Sequence, residues 1–227
     1  SRKKFPKQFV KLFGEKSLFD LTLNRLKKIK NVIDFTVITN EEYRFYVRES
    51  LSKYSIDGKC ILEPEGKNTT AAIYIAAKFS KKNEDLLILP SDHFIQRENN
   101  FINTINNAHN RSDKNNWVIF GAKPNFPSTG YGYIKLKKNN SQNNLSFNVE
   151  KFEEKPNIKK AQYFYENKFL WNAGIFMATR EVIVNSIKQF EPEIANTCDD
   201  VIKNQIQKKY RCKNNNPSNI KCFFERF

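Results

Sequence analysis

The sequence lacks several features that would decide its class at once. No run is long and apolar enough to cross a membrane as a helix, and no signal-peptide pattern opens the chain. A membrane partner is therefore not expected. The four cysteines, Cys60, Cys198, Cys212 and Cys222, show no paired close spacing. Cys212 and Cys222 are separated by nine residues, with no histidine nearby. Zinc sites use tighter ligand pairs, so free thiols in a reducing cytoplasm are the expected state. No internal repeat recurs and no clear domain linker interrupts the chain. The segment 213–219 (KNNNPSN) is the one candidate breakpoint.

What is present is a basic chain with enough apolar residues for a core. The 227 residues are 39% hydrophobic and 14% aromatic, which suits one fairly large domain. The net charge of +15 raises the question of a nucleic-acid partner. Positive charge is spread along the chain, Lys outnumbers Arg, and no recognition motif accompanies it, so nucleic acid is not expected as a partner.

Strand-like and helix-like stretches alternate. Residues 34–39 are β-branched and aromatic, and Asn40 follows as a cap for a helix over 41–53. Residues 59–62 read as a short strand, 68–79 as a helix, 86–89 as a buried strand ending at Pro90, 98–110 as a polar helix, and 117–121 as a strand. That rhythm predicts a parallel sheet with helices on both faces. The second half reads differently. Two extended stretches, 131–137 and 146–153, are joined by an Asn-rich loop. A helix at 158–167, an extended segment over 169–177 and further helix to about 209 follow.

Open α/β sheets bind ligands beyond the carboxyl ends of their strands, so the residues there are the ones to weigh. Asp92 follows the strand at 86–89. It reads as a helix cap or as a carboxylate holding a divalent cation against phosphate. His93 beside it reads as a structural hydrogen-bonder or a catalyst. Glu63 to Thr70 form a turn that caps the next helix, or a loop that reads a nucleobase edge. Gly130 and Gly132 flank Tyr131, as in a hairpin corner or a close approach to a ligand. Glu154 and Lys155 are an exposed ion pair, or a hydroxyl acceptor beside a phosphate cation. Trp171 to Gly174 read as a bent strand.

Each piece is weak singly, but the series is not. The chain reads PKQF at 6–9, EPEGKNT at 63–69, PSDH at 90–93, TGYGY at 129–133, FEEKP at 152–156 and WNAGIF at 171–176. In content, order and spacing this resembles the mannose-1-phosphate guanylyltransferases, over nearly the whole chain. The resemblance implies a Rossmann-like, GT-A-like α/β fold with a mixed, mostly parallel sheet flanked by helices. It implies GMP transfer from GTP to mannose 1-phosphate, giving GDP-mannose and pyrophosphate with Mg²⁺, in the cytoplasm, and it allows a homodimer. It assigns phosphate contacts to Lys7 and, on the adjoining basic segment, Arg2. Asp92 would hold the metal. Glu63, Asn68 and Thr69 would seat the guanine nucleotide. Gly130, Glu154 and Asn172 would bind mannose hydroxyls, and Lys155 the sugar phosphate.

Two departures from the family pattern accompany it. The family's Gly-rich phosphate loop would lie before Ser1, and its Ser-Asp-x-Gly-x-Trp motif, which supplies a second metal carboxylate, would lie beyond Phe227. The expectation is a nucleotidyltransferase domain over 1–227, shortened at both ends. The alternatives are a degenerate relative that binds nucleotide sugar or sugar phosphate without turnover, and a basic nucleic-acid module.

Overall fold

The structure, a computed structural model, describes residues 5–63, 69–111, 114–137, 147–206 and 224–226. These residues fall into two compact units. The first comprises the chain to Glu84, Ser91–Asn107, and everything from Thr179 onward; the second comprises Asp85–Pro90 and Ala108–Ala178.

The first unit opens with a 3-10 turn, Lys7–Phe9, and a small antiparallel hairpin, β1 (Lys11–Phe13) and β2 (Lys16–Ser17). Helix α1 (Leu18–Leu26) follows at once. Its start is fixed by a reciprocal cap: Ser17 Oγ accepts from the Asp20 N–H at 3.0 Å, and the Asp20 carboxylate accepts from the Ser17 N–H at 3.1 Å. Strands β3 (Phe35–Asn40) and β4 (Gly58–Glu63) pair in parallel, and β10 (Phe224–Arg226) pairs in parallel with the other edge of β4. Helix α2 (Arg44–Lys53) links β3 to β4. As expected, Asn40 caps the turn before it, its side chain accepting from the Glu42 N–H at 2.9 Å.

The core of this unit gathers Phe9, Phe19, Leu23, Val47, Leu51, Ile56, Cys60 and Leu62. Burying each large apolar side chain contributes roughly 1.5–3 kcal/mol. Helices α3 (Thr69–Phe79), α6 (Arg180–Phe190) and α7 (Pro192–Ile206) pack together around a polar knot. The Tyr74 hydroxyl donates to Asp199 at 3.1 Å, and Lys78 pairs with the same carboxylate at 2.8 Å. Burial, with the Asp199 charge beside it, pushes the Tyr74 phenol up to about 12. Helix α4 (Glu98–Arg111) starts in this unit and runs into the second.

The second unit is built on a five-stranded sheet. Its long strand β9 (Leu170–Thr179) neighbours β5 (Asp85–Ile88), β6 (Val118–Ala122) and β7 (Tyr133–Leu136), and β7 in turn pairs with β8 (Val149–Glu153). The pairings β6–β9, β7–β9 and β7–β8 are all antiparallel. Helix α5 (Ile158–Glu166), capped by Asn157, packs Ala161 and Phe164 against Tyr133 and Phe169.

The mixed α/β class agrees with the sequence. The parallel pairing expected from the strand–helix rhythm belongs to the first unit, while the second carries the antiparallel part. One helix is not announced by periodicity. Helix α1 buries Asp20, Thr22 and Arg25 beside Leu18, Phe19 and Leu23, so polar residues interrupt its apolar stripe. Cys60 and Cys198 are buried and form no disulfide among the described residues, and Cys212 and Cys222 lie outside them. Among the described residues no helix is long and apolar enough to cross a membrane.

Candidate functional site

Candidate residues occur in both units, and each group has its own construction. In the first unit, Pro6 leads into the 3-10 turn that carries Lys7, and Phe9 on that turn is buried against Phe19 of α1 with ring centroids 5.6 Å apart. The apolar anchor leaves Lys7 projecting. Its side chain is 78% exposed, and its ammonium lies 2.6 Å from the Asp92 carboxylate, which is 23% exposed. A pair this open to water adds at most about 1 kcal/mol to stability. Its interest is chemical: an exposed ammonium and a more buried carboxylate share one small region.

Asp92 belongs to the turn after β5, and the next residue, His93, is half-buried. Burial pushes the His93 imidazole below its usual range; the Asp92 charge opposes this, while Arg25 and Lys7 add to it. Arg25 of α1 is only 2% exposed and donates from Nη2 to the His93 carbonyl at 3.3 Å.

Glu63 ends β4, directly beside Asn40 at the end of β3. This is the carboxyl edge of the parallel strands, the expected ligand side. Burial pushes the Glu63 carboxyl above its usual range. Thr69 opens α3 with its side chain exposed, at a helix N-terminus where backbone N–H groups are free of intrahelical partners. Arg2 and Asn68 lie outside the described residues.

In the second unit the candidates are aligned by strand register. Tyr133 of β7 faces Glu153 on one side and Trp171 on the other. One step further along the antiparallel strands, Gly132 therefore stands between Glu154 and Asn172. The Asn172 N–H confirms this by donating to the Gly132 carbonyl at 2.7 Å. On its far side Asn172 pairs with Gly121. The result is one transverse row, Glu154–Gly132–Asn172–Gly121, with glycine on both sides of the amide.

A side chain at either glycine would force its neighbours to move. A Cβ on Gly132 would run into the Glu154 carboxylate and approach the Phe152 ring to 2.9 Å. A Cβ on Gly121 would meet the Leu170 side chain at 2.7 Å. Asn172 is held further by its own loop, its Oδ1 accepting from the Gly174 N–H at 3.0 Å, with Gly174 at φ +65°. Gly130 is exposed in the preceding turn, its N–H donating to Ser128 Oγ at 3.2 Å. The buried Tyr133 hydroxyl clasps that turn. It accepts from the Ser128 N–H at 2.9 Å and donates to the Ser128 carbonyl at 3.0 Å. Lys155 is exposed and sits at φ +42°, a left-handed conformation uncommon for a side-chain-bearing residue and especially before a proline. Strain of this kind persists where the surroundings impose it and is common at functional sites.

The structure thus brings Lys7 to Asp92 in one unit, and Glu154 and Asn172 into one row in the other. Two residues of these groups escape a reading of the sequence. Gly121 joins the row through a non-local pairing that local pattern does not encode. Arg25 leaves one local signal, a guanidinium between the apolar positions of a short helix.

Comparison with known proteins bears on what these groups do. A family model described as nucleotidyl transferase matches residues 1–216. A mannose-1-phosphate guanylyltransferase from Escherichia coli is 38% identical over 213 residues, covering 90% of this chain and 46% of the relative. The chain spans about half the length of the curated relatives it matches. Among solved structures, a protein described as mannose-6-phosphate isomerase from Helicobacter pylori aligns with a TM-score of 0.76 and 33% identity, over 87% of this chain and 76% of that one. A protein described as mannose-1-phosphate geranyltransferase from Thermus thermophilus shares the fold, with a TM-score of 0.74 and 24% identity over 89% of this chain and 59% of that one. With a family model matched along nearly its whole length, the chain belongs to the nucleotidyl transferase family.

Proposed function

We propose that this chain carries out guanylyl transfer, joining GMP from GTP to α-D-mannose 1-phosphate to give GDP-mannose and pyrophosphate. The observation that carries the reading is the Lys7–Asp92 pair, 2.6 Å apart on a turn and a loop of one unit. The likeness to guanylyltransferases over 90% of the chain supports it.

In this reaction a phosphate oxygen of the sugar attacks the α-phosphorus of GTP. A new P–O bond forms, the α–β anhydride bond breaks, and the electron pair leaves with pyrophosphate. Such transfers depend chiefly on positioning and charge neutralisation. Lys7 contacts the phosphates and offsets developing negative charge. Glu63, with Asn68 and Thr69, seats the guanine nucleotide, the Glu63 carboxylate accepting from base N–H donors. Arg2 adds a phosphate contact. Glu154, Asn172 and the Gly130 backbone take mannose hydroxyls, and Lys155 takes the sugar phosphate.

The residues present fit Mg²⁺ in a limited way. Among the described residues no three acidic, histidine or cysteine side chains converge. A cation would therefore rest on Asp92 and on phosphate oxygens, a common arrangement for Mg²⁺. When bound, it neutralises charge on the phosphates. A cytoplasmic setting is part of this reading.

The test is pyrophosphate release by the purified protein from GTP and mannose 1-phosphate with Mg²⁺. Asp92→Asn and Lys155→Ala are run beside it. Release by the parent and loss in both variants is expected. No release by the parent overturns turnover, and a thermal shift with GDP-mannose then asks whether binding alone survives. Equal release by all three overturns the residue assignments.

A further inference from the structure

We infer that Arg25 is a positioning residue that sets Asp92 against Lys7, with helix α1 as the ruler between them. The inference rests on the reading of Asp92 and Lys7 given above. Arg25 is nearly fully buried, yet it is poorly served for an ion. Its Nη2 makes one long hydrogen bond, to the His93 carbonyl at 3.3 Å. Its Nη1 is buried without a hydrogen-bond partner among the described residues. The guanidinium lies over the Phe101 ring at 5.5 Å, and burial lowers its pKa, opposed only by the charge of Glu98. Glu98 is itself shared with Lys28 at 2.6 Å.

A buried guanidinium with so few partners is a poor way to stabilise a core, since an apolar side chain of similar volume is often as good or better. What Arg25 does instead is grip one backbone oxygen, that of the residue directly after Asp92. The same helix grips the other member of the pair. Phe19 of α1 packs edge-on against Phe9, which anchors the turn bearing Lys7. Positions 19 and 25 are six residues apart, about 9 Å along a rigid helix. The reciprocal cap between Ser17 and Asp20 fixes where that helix begins. The separation of the turn and the loop is therefore set by one short element. Removing the Arg25 grip frees the Asp92 end while leaving the Lys7 end seated.

The test is a double-mutant cycle read by binding rather than by turnover. The probe is Mn²⁺ with GTP, and free Mn²⁺ is followed by electron paramagnetic resonance. Arg25→Met is expected to weaken Mn²⁺ binding about tenfold in the otherwise unaltered protein. On an Asp92→Asn background the same change is expected to cost less than twofold, because Arg25 acts through Asp92. Equal losses on both backgrounds show a general structural effect and overturn the inference, as does wild-type affinity in Arg25→Met alone. If Asp92→Asn itself leaves Mn²⁺ binding unchanged, the metal role of Asp92 fails, and the inference with it. Should Arg25→Met not fold, Arg25→Lys carries the test. A loss of threefold or more that vanishes on the Asp92→Asn background supports the inference, and wild-type affinity overturns it.

Discussion

The two units hold their candidate residues by different means. In the first, the candidate groups are side chains placed by packing and by a grip on the backbone: Lys7 through Phe9 and Phe19, Asp92 through the His93 carbonyl and Arg25. In the second, they are aligned by main-chain pairing, and glycines let neighbouring side chains pack close against the row. The first arrangement leaves its ammonium exposed to solvent. The second is a template whose spacing comes from the strands themselves. A phosphate carries its charge diffusely, whereas a sugar is told from its epimers by where single hydroxyls point. Each construction suits its proposed ligand.

The largest expected effect breaks the first unit alone. Asp92→Asn should lower kcat about a hundredfold or more, in keeping with about 3 kcal/mol for loss of one preorganised electrostatic partner. The KM for mannose 1-phosphate should stay within about threefold, since the row of the second unit is untouched; this is read by steady-state pyrophosphate release. Gly132→Ala should do the reverse. A methyl placed against Glu154 and Phe152 overpacks the row by about 2 kcal/mol. The KM for mannose 1-phosphate should then rise about thirtyfold, with the GTP affinity, measured by calorimetry, nearly unchanged.

Asp20→Ala sharpens the contrast through stability. It removes the Asp20 half of the reciprocal α1 cap and the partner of Lys53, 3.2 Å away, for a cost of about 1.5 kcal/mol. A fall in Tm of about 3–6 °C by calorimetry is expected for a chain of this size. The smallest effect is a pH dependence. Burial raises the Glu63 pKa, so on acidification this carboxylate takes up its proton at a higher pH than an ordinary glutamate. The charged form is the one that accepts from guanine, so GTP affinity should fall a few-fold as pH drops through that raised value. The same shift makes folding slightly more favourable below it and less so above. Glu63→Gln should flatten the affinity profile, and a profile unaltered by that change would remove Glu63 from base recognition.

Much of this is legible in the sequence, and the boundary of what is legible has physical causes. Asp92, Glu63 and Glu154 can be placed at strand ends because strands announce their ends through apolar runs and Pro or Gly. Lys7 and Lys155 are recoverable only as parts of an ordered motif series, since an isolated lysine carries no positional signal. The parallel half of the fold follows from strand–helix alternation. The antiparallel pairing of β6 with β9 does not, because apolar pattern reports burial and says nothing about which strand lies alongside. Gly121 is invisible for that reason. Helix α1 is hidden because Asp20, Thr22 and Arg25 break its stripe, and the inferred positioning role gives a reason for at least Arg25 to do so.

The hairpin of β7 and β8 has two unlike ends. Lys137 donates to Asn148 at 2.8 Å where the strands approach the Asn-rich segment 138–146, whereas Gly132 and Glu154 lie at the opposite end. Four ladder pairs separate the two. Lengthening or shortening that segment adds or removes residues beyond the last pair and leaves the register of the row intact. A tag inserted between Lys137 and Asn148 is therefore expected to leave the row of Glu154, Gly132 and Asn172 in register. A single residue added between Tyr133 and Leu136 would instead turn the row's side chains to the other face of the sheet.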